Sequence, residues 1–187
     1  MVSDPTVWNQ KKFEKMLGYL VSRICYDYND IWGVKLSRSR LHSLCYLCDF
    51  GYFEKYGRSI TGSPYVHGNS GPVPIYYDKT IKELITDDII IVDSRKNVSM
   101  GPKCKCTPMT KDVCENSVSK DRSDLSPDEM VVIDEIAFKY IRTTDEELKA
   151  IVKDDTPFIA AGSCQALNYG LAYYRTKNDS EGGNIDD

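Results

Sequence analysis

Two cysteine pairs and two histidines carry the side chains best suited to bind a metal ion: Cys45, Cys48, Cys104, Cys106, His42 and His67. Structural zinc sites use thiolate and imidazole ligands, and a C-x-x-C pair in them usually occupies a turn. The first pair instead falls on the apolar stripe of a predicted helix, and the second lies along a predicted strand. Free cysteine commonly behaves as a small hydrophobic residue. We therefore expect buried thiols and no cofactor, with a zinc site as the weaker alternative.

Asp49 is a carboxylate on an otherwise apolar helical surface, four residues after Cys45 and three before Tyr52. Burying a carboxylate without a partner costs several kcal/mol, so Asp49 must be paired or hydrogen-bonded. Gly57 would let the chain reverse, so that either Arg58 or backbone N–H groups of the following loop reach Asp49. We expect a structural latch that pins this loop to the helix. An active-site carboxylate is the alternative, but it lacks a second acid or a nucleophile–base pair.

The elements that position these residues are predicted to be mainly helical. Apolar residues at spacings of three and four indicate an amphipathic helix from Phe13 to Tyr28. A second helix over 37–55, with Ser37 as its N-cap, is apolar around most of its circumference. Such a helix is surrounded by other elements, so we place it at the centre of the fold. Capping boxes predict two further helices, which begin after Ser126 and Thr144.

The segment after the central helix combines a loop rich in glycine and proline with a predicted helix and hairpin. Pro74 suits the first turn of a helix over 75–87. A buried strand over 89–92 and a returning strand over 103–107 complete a winged-helix-like unit at 75–107. The charges of its helix sum to −1, whereas a helix that enters the major groove needs basic residues. We expect the winged topology without nucleic-acid binding.

Length and composition suit one domain of the mainly α class, a compact bundle of about six helices with a small β-hairpin. The chain has 187 residues and a net charge of −4. Residues 1–11 are predicted to be a lead-in, 12–176 the domain, and 177–187 an acidic, disordered tail. The longest apolar runs have four or five residues, too short to cross a bilayer. We expect a cytoplasmic protein with reduced cysteines.

One longer string carries a family resemblance. It runs from Leu41 to Pro74 and reads LHSLCYLCDFGYFEKYGRSITGSPYVHGNSGPVP. The helix with Tyr46 and Asp49, the turn from Tyr56 to Gly62 and the segment Gly71–Pro74 follow one another in a characteristic order and spacing. In these features the chain resembles the SocA-like antitoxin domain, also called Panacea.

The resemblance extends over 12–175 and implies a mainly helical, non-enzymatic domain of bacterial, archaeal or phage toxin–antitoxin systems, prophages included. Such domains neutralise a partner toxin by direct binding, and one member delivers its toxin to an ATP-dependent protease. This sequence departs from the family pattern at Cys45 and Cys48, where small or aliphatic residues are usual. Its hairpin region is also longer and contains cysteines.

The resemblance implies a set of partner-contact residues, which overlaps with the latch residues argued above. The expected partner-contact residues are Tyr46, Tyr56, Arg58, Ser59, Ile60, Thr61, Tyr65, Tyr76 and Tyr77. The expected latch residues are Asp49, Gly57, Arg58, Gly71, Pro72 and Pro74. The partner would be a protein toxin. Two alternatives remain open at this point: a winged-helix transcriptional regulator and, with less support, a zinc-binding enzyme.

Overall fold

A computed structural model describes residues 6–25, 36–100 and 125–175. Helix α1 spans Gln10–Arg23 and helix α2 spans Arg38–Tyr56. α2 packs against α1, against the segment that directly follows α2 and against elements of 125–175. Every residue from Arg40 to Phe50 is buried, as expected for a helix that is apolar around most of its circumference. The structure thus confirms the mainly α class, and α2 is the central helix.

The two ends of α2 are set by its local sequence. The Ser37 hydroxyl caps the first turn by accepting a hydrogen bond from the Arg40 N–H at 3.1 Å. At the other end, Gly57 adopts a left-handed backbone with φ of 69°, and its N–H donates to the Phe53 carbonyl at 2.8 Å. Glycine reaches this conformation without a steric penalty, so it commonly ends helices. The chain therefore reverses at Gly57 and returns along α2 as a loop.

Beyond this loop the chain forms a short hairpin against α2. Strand β1 (Tyr65–Gly68) pairs antiparallel with strand β2 (Gly71–Pro74), with Tyr65 opposite Pro74. The expectation that Pro74 opens the next helix is therefore wrong, because Pro74 ends β2. A later segment runs along the other edge of β1, where the Leu167 N–H donates to the Tyr65 carbonyl at 2.8 Å.

The helix–hairpin unit follows. Helix α3 spans Tyr77–Thr86, and strand β3 (Ile90–Val92) pairs antiparallel with strand β4 (Val98–Met100). The returning strand comes directly after the turn, whereas the predicted strand at 103–107 lies outside the described residues. The first strand was also expected to be fully buried. Instead Ile90 is buried, while Ile91 is 47% exposed and Val92 is 39% exposed.

Two basic side chains at this unit are paired with carboxylates. Arg38, at the start of α2, lies 2.7 Å from the Asp78 carboxylate of α3. On α3 itself, the Lys79 ammonium lies 3.8 Å from Glu83. Exposed pairs of this kind contribute little to stability, but they cancel the local positive charge.

Residues 125–175 pack against α2 on the sides that the earlier elements leave uncovered. Helix α4 spans Pro127–Tyr140, α5 spans Asp145–Lys153, and the short α6 spans Thr156–Ile159. Both predicted capping boxes are present at the starts of α4 and α5. The last helix, which was predicted over 166–175, is shorter. It is a 3₁₀ helix at Tyr169–Tyr174.

Candidate partner-docking site

The Asp49 carboxylate is fully buried, with 0% of its surface exposed. Its Oδ1 accepts a hydrogen bond from the Thr61 backbone N–H at 2.8 Å, and its Oδ2 accepts one from the Thr61 hydroxyl at 2.6 Å. The Tyr65 hydroxyl donates to Oδ2 at 2.8 Å. One carboxylate therefore holds both the loop after Gly57 and the first residue of β1 against α2.

Burial and hydrogen bonding act on the Asp49 carboxyl in opposite directions. Desolvation raises its pKa from 3.8 to about 6, because the charged form loses its contact with water. Hydrogen bonds from Thr61, Tyr65 and the Ile60 backbone oppose this rise in pKa by stabilising the anion. All of these donors are neutral. Asp49 thus lies among polar groups, and none of the described residues places a cation within hydrogen-bonding distance of it.

The latched loop also holds the first described residues of the chain. The Asn9 N–H donates to the Thr61 carbonyl at 2.8 Å. Gly62 has φ of 65°, and a Cβ atom there would lie 2.2 Å from the Val7 carbonyl oxygen. The Tyr169 hydroxyl donates to the Ser63 carbonyl at 2.8 Å. The backbone of Val7 and Asn9, within the predicted lead-in, therefore lies against this loop.

Arg58, one of the two donors expected for Asp49, is bonded elsewhere. Its side chain is exposed, and its Nη2 donates to the Tyr52 hydroxyl at 3.1 Å. The loop backbone, which was the other expected donor, does reach Asp49 through Thr61. The reason is geometric, because Gly57 turns the chain so that the Arg58 side chain points outward while residues 60–61 lie over α2.

The expected partner-contact residues divide into a buried group and a surface group. Tyr46, Ile60, Thr61, Tyr65 and Tyr77 are each at most 3% exposed, so their side chains are not available to a partner in this conformation. Tyr56 is 40% exposed and Tyr76 is 38% exposed. Arg58 is exposed and Ser59 is half-buried. Tyr56, Arg58 and Ser59 lie at one end of the segment 56–76, and Tyr76 lies at the other end. Buried residues such as Thr61 and Tyr65 anchor the segment between them.

The glycines and prolines of the expected latch have structural positions. Gly71 has φ of 129°, and a Cβ atom on it would lie 3.1 Å from Val152 Cγ2. Pro72 and Pro74 belong to β2, opposite His67 and Tyr65. Together with Gly57 at the end of α2, they determine the path of the loop and hairpin.

Asp155 is another buried carboxylate, and the sequence analysis did not predict its burial. Its Oδ2 accepts hydrogen bonds from the Tyr46 hydroxyl at 2.9 Å and from Arg175 Nε at 2.7 Å. Arg175 also lies 3.7 Å from Glu54, so the end of the described chain is fastened to α2. The sequence Asp155-Thr156-Pro157 indicates a helix start. It contains no signal that the acid is buried.

The cysteines and histidines with metal-binding chemistry are dispersed among the described residues. Burial raises the pKa of the Cys45 and Cys48 thiols, which keeps them protonated and poor metal ligands. His42 packs edge-on against Tyr77, and its pKa is lowered to about 4 by burial and by Arg38. His67 stacks on Phe158. Cys104 and Cys106 lie outside the described residues. Within the described residues, no group of three metal-binding side chains occurs.

The geometry defines a helical scaffold in which buried hydrogen bonds shape a surface loop. A family model for the SocA-like antitoxin, Panacea domain, matches residues 41–158, more than half of the 187-residue chain. The chain belongs to this family. No curated protein and no solved structure matches it. In the part of the chain that the structure describes, the helices are too short or too polar to cross a membrane.

Proposed function

We propose that this protein is a non-enzymatic antitoxin that neutralises a partner protein toxin by binding to it in the cytoplasm. The observation that carries the proposal is the family match over 41–158. The matched range includes most of α2, the latched loop and both hairpins. It therefore covers the structural unit described above rather than an isolated motif.

The toxin docks, in this proposal, on the surface residues at the ends of the loop. Tyr56 and Tyr76 expose aromatic rings there, and Arg58 exposes a guanidinium group. Tyrosine and arginine are enriched at the energetic centres of protein interfaces. Asp49 and Thr61 support binding indirectly, because their hydrogen bonds hold the backbone on which these side chains stand.

Co-expression with the neighbouring gene tests the proposal. If that gene encodes the toxin, its induction alone should arrest growth, and co-expression of this chain should restore growth. The two purified proteins should also form a stable complex. A neighbouring gene whose product is harmless, together with the absence of a complex, would remove the support for an antitoxin role.

Paired substitutions test the docking surface. The double variant Tyr56→Ala/Tyr76→Ala should lose protection while it keeps a cooperative unfolding transition. Ile91→Ala removes an apolar side chain that is 47% exposed on β3, away from the loop, and is the matched control. Equal protection by both variants would exclude the loop ends as the docking surface.

Neutralisation by direct binding and neutralisation by delivery to a protease differ in what they require. Direct binding should inhibit the toxin in a mixture of the two purified proteins. Delivery should lower the amount of toxin in cells, and protection should disappear in a host that lacks its ATP-dependent proteases. Measuring the toxin level and growth in both hosts separates the two mechanisms.

A further inference from the structure

The N-terminal segment of the described chain, residues 6–9, lies across the latched loop and is here called the strap. The Asn9 N–H donates to the Thr61 carbonyl at 2.8 Å. A Cβ atom on Gly62 would collide with the backbone of Val7. The strap can therefore lie this close to the loop only because residue 62 is a glycine. Backbone contacts thus fix the position of the strap on the loop.

The strap meets the residues that follow β2 in an apolar surface. The Trp8 ring stacks on the Tyr76 ring, with 4.5 Å between their centres and 21° between their planes. Trp8 also packs against Phe13 of the core, at 5.5 Å between ring centres. The chain neighbours of the stacked pair are aliphatic, and Val7 is 64% exposed while Ile75 is 51% exposed. These two residues, Trp8 and the 38% exposed Tyr76 are here called the strap patch.

The charged side chains at the start of α3, directly after the strap patch, are already bonded. Asp78 accepts a hydrogen bond from Arg38 at 2.7 Å. Lys79 donates to Gln10 at 2.9 Å, and Gln10 donates to Glu83 at 2.9 Å. A charged group of a partner would lose water here without finding an unpaired opposite charge among these side chains. The strap patch therefore favours an apolar contact over an ionic one.

We propose that the strap patch binds an apolar segment of the toxin whose central residues carry no charge. Aliphatic or aromatic side chains of the toxin contact Val7, Ile75 and the exposed part of the Tyr76 ring, and the burial of this apolar surface supplies affinity. Trp8 holds Tyr76 in place, so less side-chain entropy is lost when the toxin binds. This inference rests on the proposed function. It extends the docking surface onto the strap and specifies the partner chemistry at that end.

Insertion of a charge into the strap patch tests the inference, with the full chain and the purified toxin. Ile75→Glu is matched by Ile91→Glu, which makes the same change at a 47% exposed isoleucine on β3. We expect Ile75→Glu and Val7→Glu each to bind the toxin at least about 30-fold more weakly, and Ile91→Glu to bind within about 3-fold of the wild type, because only the first two bury an unpaired carboxylate in the complex. All three side chains are exposed in the free protein, so each variant should keep a cooperative unfolding transition.

The opposite charge at the same position tests whether the contact is apolar. Ile75→Lys should weaken binding about as much as Ile75→Glu, because either charge loses its water in an apolar contact. If one charge weakens binding and the other strengthens it, the toxin presents a charged group to the patch, and the inference is overturned.

The remaining outcomes each decide the question. Normal toxin binding by both Val7→Glu and Ile75→Glu would overturn the inference and leave the antitoxin role intact. Stronger binding by Val7→Glu would mean that the strap covers the toxin's site, and a loss with Ile75→Glu alone would mean that the strap takes no part. An equal loss with Ile91→Glu would indicate a non-specific charge effect. Each of these three results also overturns the inference.

Two other occupants of the strap patch give their own results. Stronger toxin binding after deletion of residues 2–5 would mean that this segment covers the patch. A change in the oligomeric state of the chain alone with Ile75→Glu, measured by light scattering, would mean that the patch joins two copies. Either result overturns the inference. A toxin that fails to bind the wild type removes the proposed function and this inference together.

Discussion

Two of the buried carboxylates among the described residues, Asp49 and Asp155, are stabilised by different kinds of partner. Asp49 accepts hydrogen bonds from Thr61 and Tyr65, which are neutral donors. Asp155 accepts one from a tyrosine and one from the Arg175 guanidinium, so it forms an ion pair. Both acids lie against α2, but Asp49 holds the surface loop and Asp155 holds the end of the described chain.

The difference shows how a buried anion can be stabilised without a cation. Neutral donors satisfy the oxygens of Asp49, but burial still raises its pKa to about 6. The contribution of Asp49 to stability therefore depends on pH between 3.8 and about 6. At Asp155 the stabilisation depends on one long side chain, Arg175, which is 14% exposed. Four measurements, from the largest expected effect to the smallest, test this contrast.

Removing the acid should destabilise the loop latch most. Asp49→Ala leaves the Thr61 N–H, the Thr61 hydroxyl and the Tyr65 hydroxyl buried without their acceptor. We expect the free energy of unfolding to fall by about 3–5 kcal/mol, because each unsatisfied buried donor costs about 1–3 kcal/mol. Urea denaturation measures the change. Asp154→Ala, at an exposed aspartate, is the control and should change stability by less than about 0.5 kcal/mol. A loss below about 1 kcal/mol for Asp49→Ala would mean that the carboxylate does not hold the loop.

Asp49 should also give stability a distinct dependence on pH. Its pKa is raised in the folded state, so its contribution is present in full below pH 3.8 and is lost as pH rises through about 6. The stability of the wild type relative to Asp49→Asn should therefore decrease by about 3 kcal/mol over this range. The comparison with Asp49→Asn is needed because His42, whose pKa is lowered to about 4, contributes stability that is lost as pH falls. A relative stability that does not change with pH would contradict the raised pKa of Asp49.

The ion pair should show its character in a double-mutant cycle. Arg175→Met leaves the Asp155 carboxylate with one uncharged donor, and we expect a loss of about 2–3 kcal/mol. In an Asp155→Asn background the same substitution should cost much less, which gives a coupling energy above about 1.5 kcal/mol. Denaturation of the four proteins of the cycle measures this energy. Additive losses would show that the pair contributes packing rather than charge stabilisation.

Arg58→Ala should have the smallest effect on folding. Its guanidinium is exposed and donates to Tyr52 rather than to Asp49, so the loss of stability should be within about 0.5 kcal/mol. Its coupling with Asp49→Asn should be close to zero. A coupling above about 1 kcal/mol would mean that Arg58 reaches the buried acid in solution. It would remove the distinction between the two carboxylates.

The sequence predicted α2 and the burial of Asp49 for one reason. Helical periodicity places residue 49 on the same surface as Cys45 and Tyr52, which are buried. The donors to Asp49 could not be chosen from the sequence, because they depend on the path of the loop after Gly57. Of the two expected donors, the loop backbone reaches Asp49 and Arg58 does not, while the Thr61 and Tyr65 hydroxyls are further donors. Asp155 could not be found in this way. Its partners Tyr46 and Arg175 lie 109 and 20 residues away in sequence.

Local sequence determined the capped starts of α2, α4 and α5, the glycine at which α2 ends and the presence of one acid on an apolar surface. Each of these depends on interactions between residues a few positions apart. Tertiary structure decided which donors reach each carboxylate and which tyrosines are buried. It also brought Tyr173 next to Gly57. These outcomes depend on how distant segments pack around α2, and a side chain's burial and charge partners exist only after that packing has formed.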